Sequence, residues 1–151
     1  MAVMGIDLGT SSVKVLILDA QGSTLSVGKA DYAVMAPQPG WAEGDPSEWW
    51  RATIAAAHTS IHSAMERAPR VEITAIGLSG QMHGVVMTSS EGLPIRPALL
   101  WADTRAQEEL SRYRALPATT LQRLGKIQMS GTPSFVTVNA GRPWSTSARS
   151  S

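Results

Sequence analysis

Cysteine is absent from the 151 residues, which excludes disulfides, thiolate metal sites and a cysteine nucleophile, and is compatible with a reducing cytoplasm. No apolar run approaches the ~20 residues needed to span a bilayer, and no basic region followed by a long apolar core opens the chain. A soluble, cytoplasmic protein with no membrane partner is expected. Charge of one sign is also lacking: 13 Lys and Arg face 12 Asp and Glu, a formal net charge of +1. Nucleic acid therefore has no electrostatic footprint to bind, and any bound anion must be held locally. There is no GxxxxGK[ST] phosphate loop, no HExxH, no internal repeat and no heptad pattern. What is there is a hydrophobic content of 43%, enough for one domain or for part of a larger one.

The string GIDLGTSSVK, residues 5–14, sets a carboxylate and a run of small residues between two β-like segments. Asp7 ends an apolar strand, Gly9 removes the Cβ that would block a close approach, and Thr10, Ser11 and Ser12 add hydroxyl and N–H donors. A carboxylate there repels a bare phosphate. Asp7 makes sense mainly with a divalent cation, most simply Mg²⁺ with its retained waters, between it and phosphate oxygens. An ordinary hairpin, in which Asp and Gly only turn the chain, is the plain alternative. Lys14 lies inside the following strand and is expected to be a solvated or edge lysine.

Alternation and turn residues predict three antiparallel strands, Val3 to Asp7, Ser12 to Leu18 and Thr24 to Val34, with Asp19 to Gly22 turning between the last two. Ala36 to Trp41 is a Pro- and Gly-rich loop. A helix follows: Asp45 caps it, Pro46 takes the first position, and Glu48 completes a capping box. Trp50, Ile54, Ala57, Ile61 and Met65 have helical spacing and are expected to pack on the sheet, with the end near Arg67. His58 and His62, four apart, read as half-exposed helix residues and not as a metal pair. Val71 to Leu78 reads as a buried fourth strand and Val85 to Thr88 as another β segment. Ser89 to Gly92 turns the chain, and Leu93 to Trp101 is mostly apolar but carries Pro94 and Pro97. Asp103 is expected to open a helix from Thr104 to Leu116, with a short piece from Thr119 to Leu124. Residues 1–125 thus form one α/β layered domain. Residues 126–151, nine of them Ser or Thr, form an irregular tail.

Two further constellations carry chemistry. Gly80-Gln81-Met82-His83-Gly84 puts an amide, a thioether and an imidazole at a strand end, where ligands of α/β folds sit; the alternative is a tight connection with Met82 in the core. Leu99 to Arg105 delivers an aromatic wall, Trp101, and then Asp103 and Arg105 two residues apart. Asp103 serves equally as a helix N-cap, and capping and ligand contact are compatible. A polyol needs a flat apolar face together with hydrogen-bonding side chains, which this set supplies.

GIDLGTSSVK resembles the first phosphate motif of the sugar kinase, Hsp70 and actin superfamily, where it joins the first two strands of a ribonuclease H-like domain. Together with the Pro39-Gly40-Trp41 loop, Glu43-Gly44-Asp45-Pro46 and Trp49-Trp50, then IGLSGQMHG and LLWADTR, it is similar in order and spacing to the FGGY carbohydrate kinases over residues 3 to about 125. Within that family GQMHG points to the xylulokinase group. The resemblance implies a ribonuclease H-like N-terminal domain, a mixed sheet with antiparallel first three strands and flanking helices. It implies that Asp7, with Gly9, Thr10, Ser11 and Ser12, handles Mg²⁺ and the phosphates of ATP. Met82 and His83 would contact the ketopentose, with Gln81, Trp101, Asp103 and Arg105 near that pocket. The implied reaction moves the γ-phosphoryl of ATP to the terminal hydroxyl of D-xylulose, giving D-xylulose 5-phosphate.

In that family the base that activates the hydroxyl is an aspartate far beyond residue 151, and the adenosine site lies in a second domain. The chain is therefore expected to be a truncated or frame-shifted N-terminal part, inactive alone. It would expose apolar surface that a missing partner should cover, and so associate, as a homo-oligomer or otherwise. Other readings are a noncatalytic sugar- or nucleotide-binding module, a kinase for another ketopentose or polyol, and a nuclease using Asp7 with Asp19 or Asp31 as metal ligands.

Overall fold

A computed structural model describes residues 1–124; the expected irregular tail of residues 126–151 lies outside the described residues. The period-2 alternation of the first segment produces a meander of β1 (Ala2–Leu8), β2 (Ser12–Asp19) and β3 (Thr24–Asp31). Its registers set Asp7 opposite Lys14, and Lys14 opposite Lys29. In the β2–β3 turn, Asp19 Oδ1 accepts from the N–H of Gln21 at 2.9 Å and of Ser23 at 2.8 Å, the local bonding that makes Asp a turn residue. β3 stops at Asp31, short of the expected Val34; just beyond it Tyr32 is buried and its backbone N–H donates to Ser11 O at 3.0 Å.

The chain then crosses the sheet through α1 (Pro46–Arg67). Asp45 caps it, accepting from Ser47 N–H at 2.8 Å. Glu48 pairs with Arg51 at 2.6 Å, which takes it away from the expected capping box. The buried face also differs from the expected one. It consists of Ala52, Ala56, Ser60 and Ala64, while Trp50, Ile54 and Met65 are 67%, 41% and 49% exposed; Ala57 and Ile61 lie at its margin. The reason sits on β3. Gly28 lets the helix approach so closely that a Cβ there would overlap the carbonyl oxygen of Ala56. Beside it the Ser26 hydroxyl donates to Ser60 O at 2.7 Å and bonds the Ser60 hydroxyl at 2.8 Å. Only small side chains fit that gap. With Met4, Val13, Val15, Ile17 and Tyr32 they form the main core.

After α1, β5 (Ile73–Gly80) pairs in parallel with β1, giving the strand order β3-β2-β1-β5. This is the mixed sheet, antiparallel over its first three strands, that the sequence led us to expect. β5 is not the buried strand foreseen from Val71 to Leu78. It starts later, includes Ser79 and Gly80, and is exposed along nearly its whole length, because α1 packs on β3 and β2 and only touches β1. A second small sheet joins β4 (Glu43–Gly44) to β6 (Ala98–Leu99). The expected β segment at Val85 to Thr88 is reduced to isolated bridges, Val85 with Leu99 and Thr88 with Pro94. α2 (Gln107–Arg114) and α3 (Ala118–Leu124) complete the described chain. Among the described residues no helix is long and apolar enough to cross a membrane.

Candidate functional site

The parallel pair β1 and β5 ends side by side, with Asp7 opposite Ser79 and Leu8 opposite Gly80. One more bond, from Gln81 N–H to Leu8 O at 2.8 Å, carries the ladder past the strand ends. A cavity of about 460 Å³ opens there. Asp7, Gly9 and Thr10 line it from the first motif, Gln81, Met82 and His83 from the second, and Trp101 from the third. The chain thus brings together residues up to 94 positions apart, at the strand ends where α/β folds bind ligands.

The wall from β1 is tied at Gly9 and Thr10. Gly9 N–H donates to Ser12 O at 2.9 Å, so that donor closes the hairpin; a Cβ on Gly9 would stand 3.0 Å from the same oxygen. The Gly9 carbonyl accepts from the Tyr32 phenol at 2.6 Å. Burial, and then the charge of Asp7, push the Tyr32 phenol above its ordinary range, which keeps it a donor. Trp101 Nε1–H donates to Thr10 Oγ1 at 3.1 Å, joining the first motif to the third. Asp7 itself is exposed. Ser11 is exposed and Ser12 opens β2; neither lines the cavity. Lys14 is exposed on the same sheet face as Asp7 and shares with it a second concavity of about 540 Å³, floored by Leu16, Val27 and Gly77.

The wall from β5 is of a different kind. His83 has φ 65, the only positive φ at a non-glycine among the described residues. The left-handed backbone of this loop thus falls on His83 and not on Gly80 or Gly84. Met82 is 72% exposed, outside the core. The side-chain amide of Gln81 is buried, and neither its oxygen nor its nitrogen has a hydrogen-bond partner among the described residues.

Asp103 and Arg105 stand behind Trp101 and do not line the cavity. Asp103 is fully buried and accepts from Ala42 N–H at 2.8 Å, from Arg105 N–H at 3.0 Å and from the Arg105 guanidinium. α2 begins only at Gln107, with Ala106 in the cap position, so Asp103 is not its N-cap: its carboxylate is committed across the chain. Arg105 also bonds Glu43 at 2.7 Å, which accepts from Arg96 at 3.0 Å, and it lies 3.6 Å over the Trp41 ring. Burial pushes the Asp103 carboxyl upward, but the bonds from Arg105 and Ala42 outweigh it and hold it below the usual carboxylate range. Burial likewise pulls Arg105 down, and Asp103 and Glu43 outweigh that and raise it. This network sews residues 41–43 to residues 96–105 and so fixes the backbone under Trp101. Glu43, Trp41 and Tyr32 had no assigned role in the sequence, where Trp41 and Glu43 entered only as parts of the motifs that carry the resemblance.

His58 and His62 are exposed on α1, and His62 Nδ1 lies 3.6 Å from Glu66. Asp19 pairs with Ala2 at the far end of the sheet, and Asp31 bonds Lys29 at 2.7 Å. No group of three His, Cys, Asp or Glu that could hold a metal exists among the described residues, which removes support for the nuclease reading. A single carboxylate beside a turn of small residues does fit Mg²⁺, an ion that keeps several waters and takes one or two carboxylates together with substrate phosphates.

The N-terminal domain of the FGGY family of carbohydrate kinases matches residues 2–138. The chain is 34% identical over 128 residues to xylulose kinase of Escherichia coli, covering 85% of this chain and 26% of that protein. It is 39% identical over 108 residues to xylulose kinase of Staphylococcus xylosus, covering 72% and 22%. The solved xylulose kinase of Brucella ovis superposes with a TM-score of 0.66 at 38% identity, covering 76% of this chain and 23% of that one. The chain spans about a quarter of the length of these relatives. A match over most of its length, on a mixed sheet that brings the three motifs to one cavity, shows that the chain belongs to the FGGY family of carbohydrate kinases.

Proposed function

We propose that this chain supplies the sugar-facing and metal-phosphate-facing part of an ATP-dependent ketopentose kinase that converts D-xylulose to D-xylulose 5-phosphate in the cytoplasm. The observation that carries this reading is the shared cavity: Asp7 and Thr10 face Gln81, Met82, His83 and Trp101 across it. Asp7 would hold the Mg²⁺ that accompanies ATP, and the turn from Gly9 to Ser12 would present small residues to the phosphates. Mg²⁺, when bound, neutralises charge on the phosphate oxygens. Met82 and His83 contact the ketose, Trp101 gives it a flat face, and Asp103 and Arg105 act as positioning residues behind that face.

Phosphoryl transfer also needs a group that orients or deprotonates the attacking hydroxyl and a cleft that excludes water. Among the described residues the cavity offers one carboxylate, Asp7, already given to the metal. The 151-residue polypeptide therefore binds ligands without turnover. Calorimetry with D-xylulose and with Mg²⁺-ATP, beside a coupled ADP-release assay, tests this. Binding of D-xylulose with no ADP release is the expected result. Turnover on the order of 1 s⁻¹ or more, ordinary for an enzyme, contradicts the inactivity; absence of binding to either ligand removes the assignment. The same lone carboxylate favours, as a second reading, a noncatalytic sugar-binding module. That reading prevails if the full reading frame encodes no further kinase domain and D-xylulose still binds.

A further inference from the structure

We propose that Tyr32 is the positioning residue of the turn assigned to the phosphates: it holds two carbonyls of that turn back and so aims the Thr10 N–H at a bound anion. This rests on the reading of Gly9 to Ser12 as the phosphate-facing turn. Tyr32 lies just beyond β3, is buried, and does not line the cavity. From there its phenol donates to Gly9 O at 2.6 Å and its backbone N–H donates to Ser11 O at 3.0 Å. One residue thus grips two peptide units of the turn. A peptide unit is planar and trans, so its N–H points opposite to its C=O. With the Gly9 carbonyl drawn to Tyr32, the Thr10 N–H of the same unit points away from Tyr32, on the side where Gly9 and Thr10 line the cavity. An N–H turned to an anion attracts it, whereas a carbonyl oxygen repels it. Gly9 makes the grip necessary. Without a Cβ its backbone turns easily, and an unheld Gly9 carbonyl is able to swing toward the phosphates.

Tyr32 is itself held. Its ring centroid lies 6.4 Å from that of Trp49, the planes tilted by 50°, within the range of favourable aromatic pairs. Trp49 in turn sits so close to Gly44 that a Cβ there would stand 2.7 Å from its indole. Gly44 and Trp49 belong to the Glu43-Gly44-Asp45-Pro46 and Trp49-Trp50 motifs, none of whose residues lines the cavity. The path from Gly44 through Trp49 and Tyr32 to Gly9 gives those motifs a task. They set the ring whose phenol sets the turn.

The test compares Tyr32→Phe with Ser26→Ala in the full 151-residue chain. Each variant loses a hydroxyl that donates to a backbone carbonyl, but Ser26 lies under α1, away from the cavity. Both melting temperatures are expected to fall by roughly 2–6 °C. Affinity for Mg²⁺-ATP, by calorimetry, is expected to fall about tenfold in Tyr32→Phe and less than about twofold in Ser26→Ala. Equal affinity in Tyr32→Phe and wild type overturns the proposal and leaves the phosphate reading of the turn in place. Equal losses in the two variants also overturn it, since lowered stability alone then accounts for the effect. A wild-type chain that binds no Mg²⁺-ATP at millimolar concentration overturns both the proposal and the reading beneath it.

Discussion

The two walls of the cavity are built on opposite terms. In the turn after β1, Gly9 is bonded at both its N–H and its carbonyl, and Thr10 receives the indole of Trp101. The loop after β5 carries a strained histidine and an amide with no partner among the described residues. Under the proposed function the first wall faces the phosphates and their metal, which are nearly the same in every reaction of this type and gain from a wall set in advance. Under the same proposal the second faces the sugar, which distinguishes one substrate from another. Trp101, the flat face proposed for the sugar, is tied to the first wall by its bond to Thr10, and the ion network lies beside it.

The largest way to break the comparison is to unpick that network. Arg105→Met leaves Asp103, and Glu43 beside it, without their shared cation, and removal of one partner from a buried pair costs about 3–5 kcal/mol. Denaturant unfolding measures it. The network also fixes a pH dependence. Asp103 is held below the ordinary carboxylate range in the folded chain, so in acid the folded chain binds fewer protons than the unfolded one. The stability it contributes is present above about pH 4 and is lost as pH falls through the folded value. Urea midpoints between pH 6 and 3 should show this decline in the wild type and a shallower one in Arg105→Met.

Asp7→Asn separates ligand handling from folding. The carboxylate is exposed, so stability should move by less than about 0.5 kcal/mol, while affinity for Mg²⁺-ATP falls at least about tenfold and that for D-xylulose holds. Equal loss of both ligands would show that the walls do not divide the work. The last pair of changes sharpens the contrast by sign. Gly9→Ala puts a Cβ 3.0 Å from Ser12 O and should destabilise by about 1 kcal/mol. His83→Gly removes the cost of φ 65 and should stabilise by about 1 kcal/mol. Thermal melts of the two variants that shift in the same direction would erase the distinction.

The sequence carried the strands well, because alternation between faces is local and each strand of the meander meets the next across a short turn. The bounds of α1 were equally legible from Asp45 and Pro46. Its buried face was not. Two rows four residues apart run along the helix, one large and one small, and apolarity alone chose Trp50, Ile54 and Met65. The choice is made on β3, where Gly28 and Ser26 demand Ala56 and Ser60 as neighbours, information that no window on the helix contains. Asp103 shows the same limit from the other side. Read locally it is a cap, yet its bond partner Ala42 lies 61 residues away. The residues of the cavity were legible because chemistry marks them: a carboxylate before a glycine turn, and an amide and imidazole at a strand end. That His83, and not a flanking glycine, bears the positive angle is something the residue types do not say.

One feature of the sheet reaches beyond the cavity. Among the described residues β5 has a neighbour on one flank only, and its eight residues, ITAIGLSG, hold neither charge nor proline, the usual guards against wrong pairing. Ile76 and Leu78 project from it, 61% and 80% exposed. Such a rim is a mould for backbone from elsewhere. An extended segment that pairs there would bury Ile76 and Leu78 and satisfy the free backbone groups of the edge.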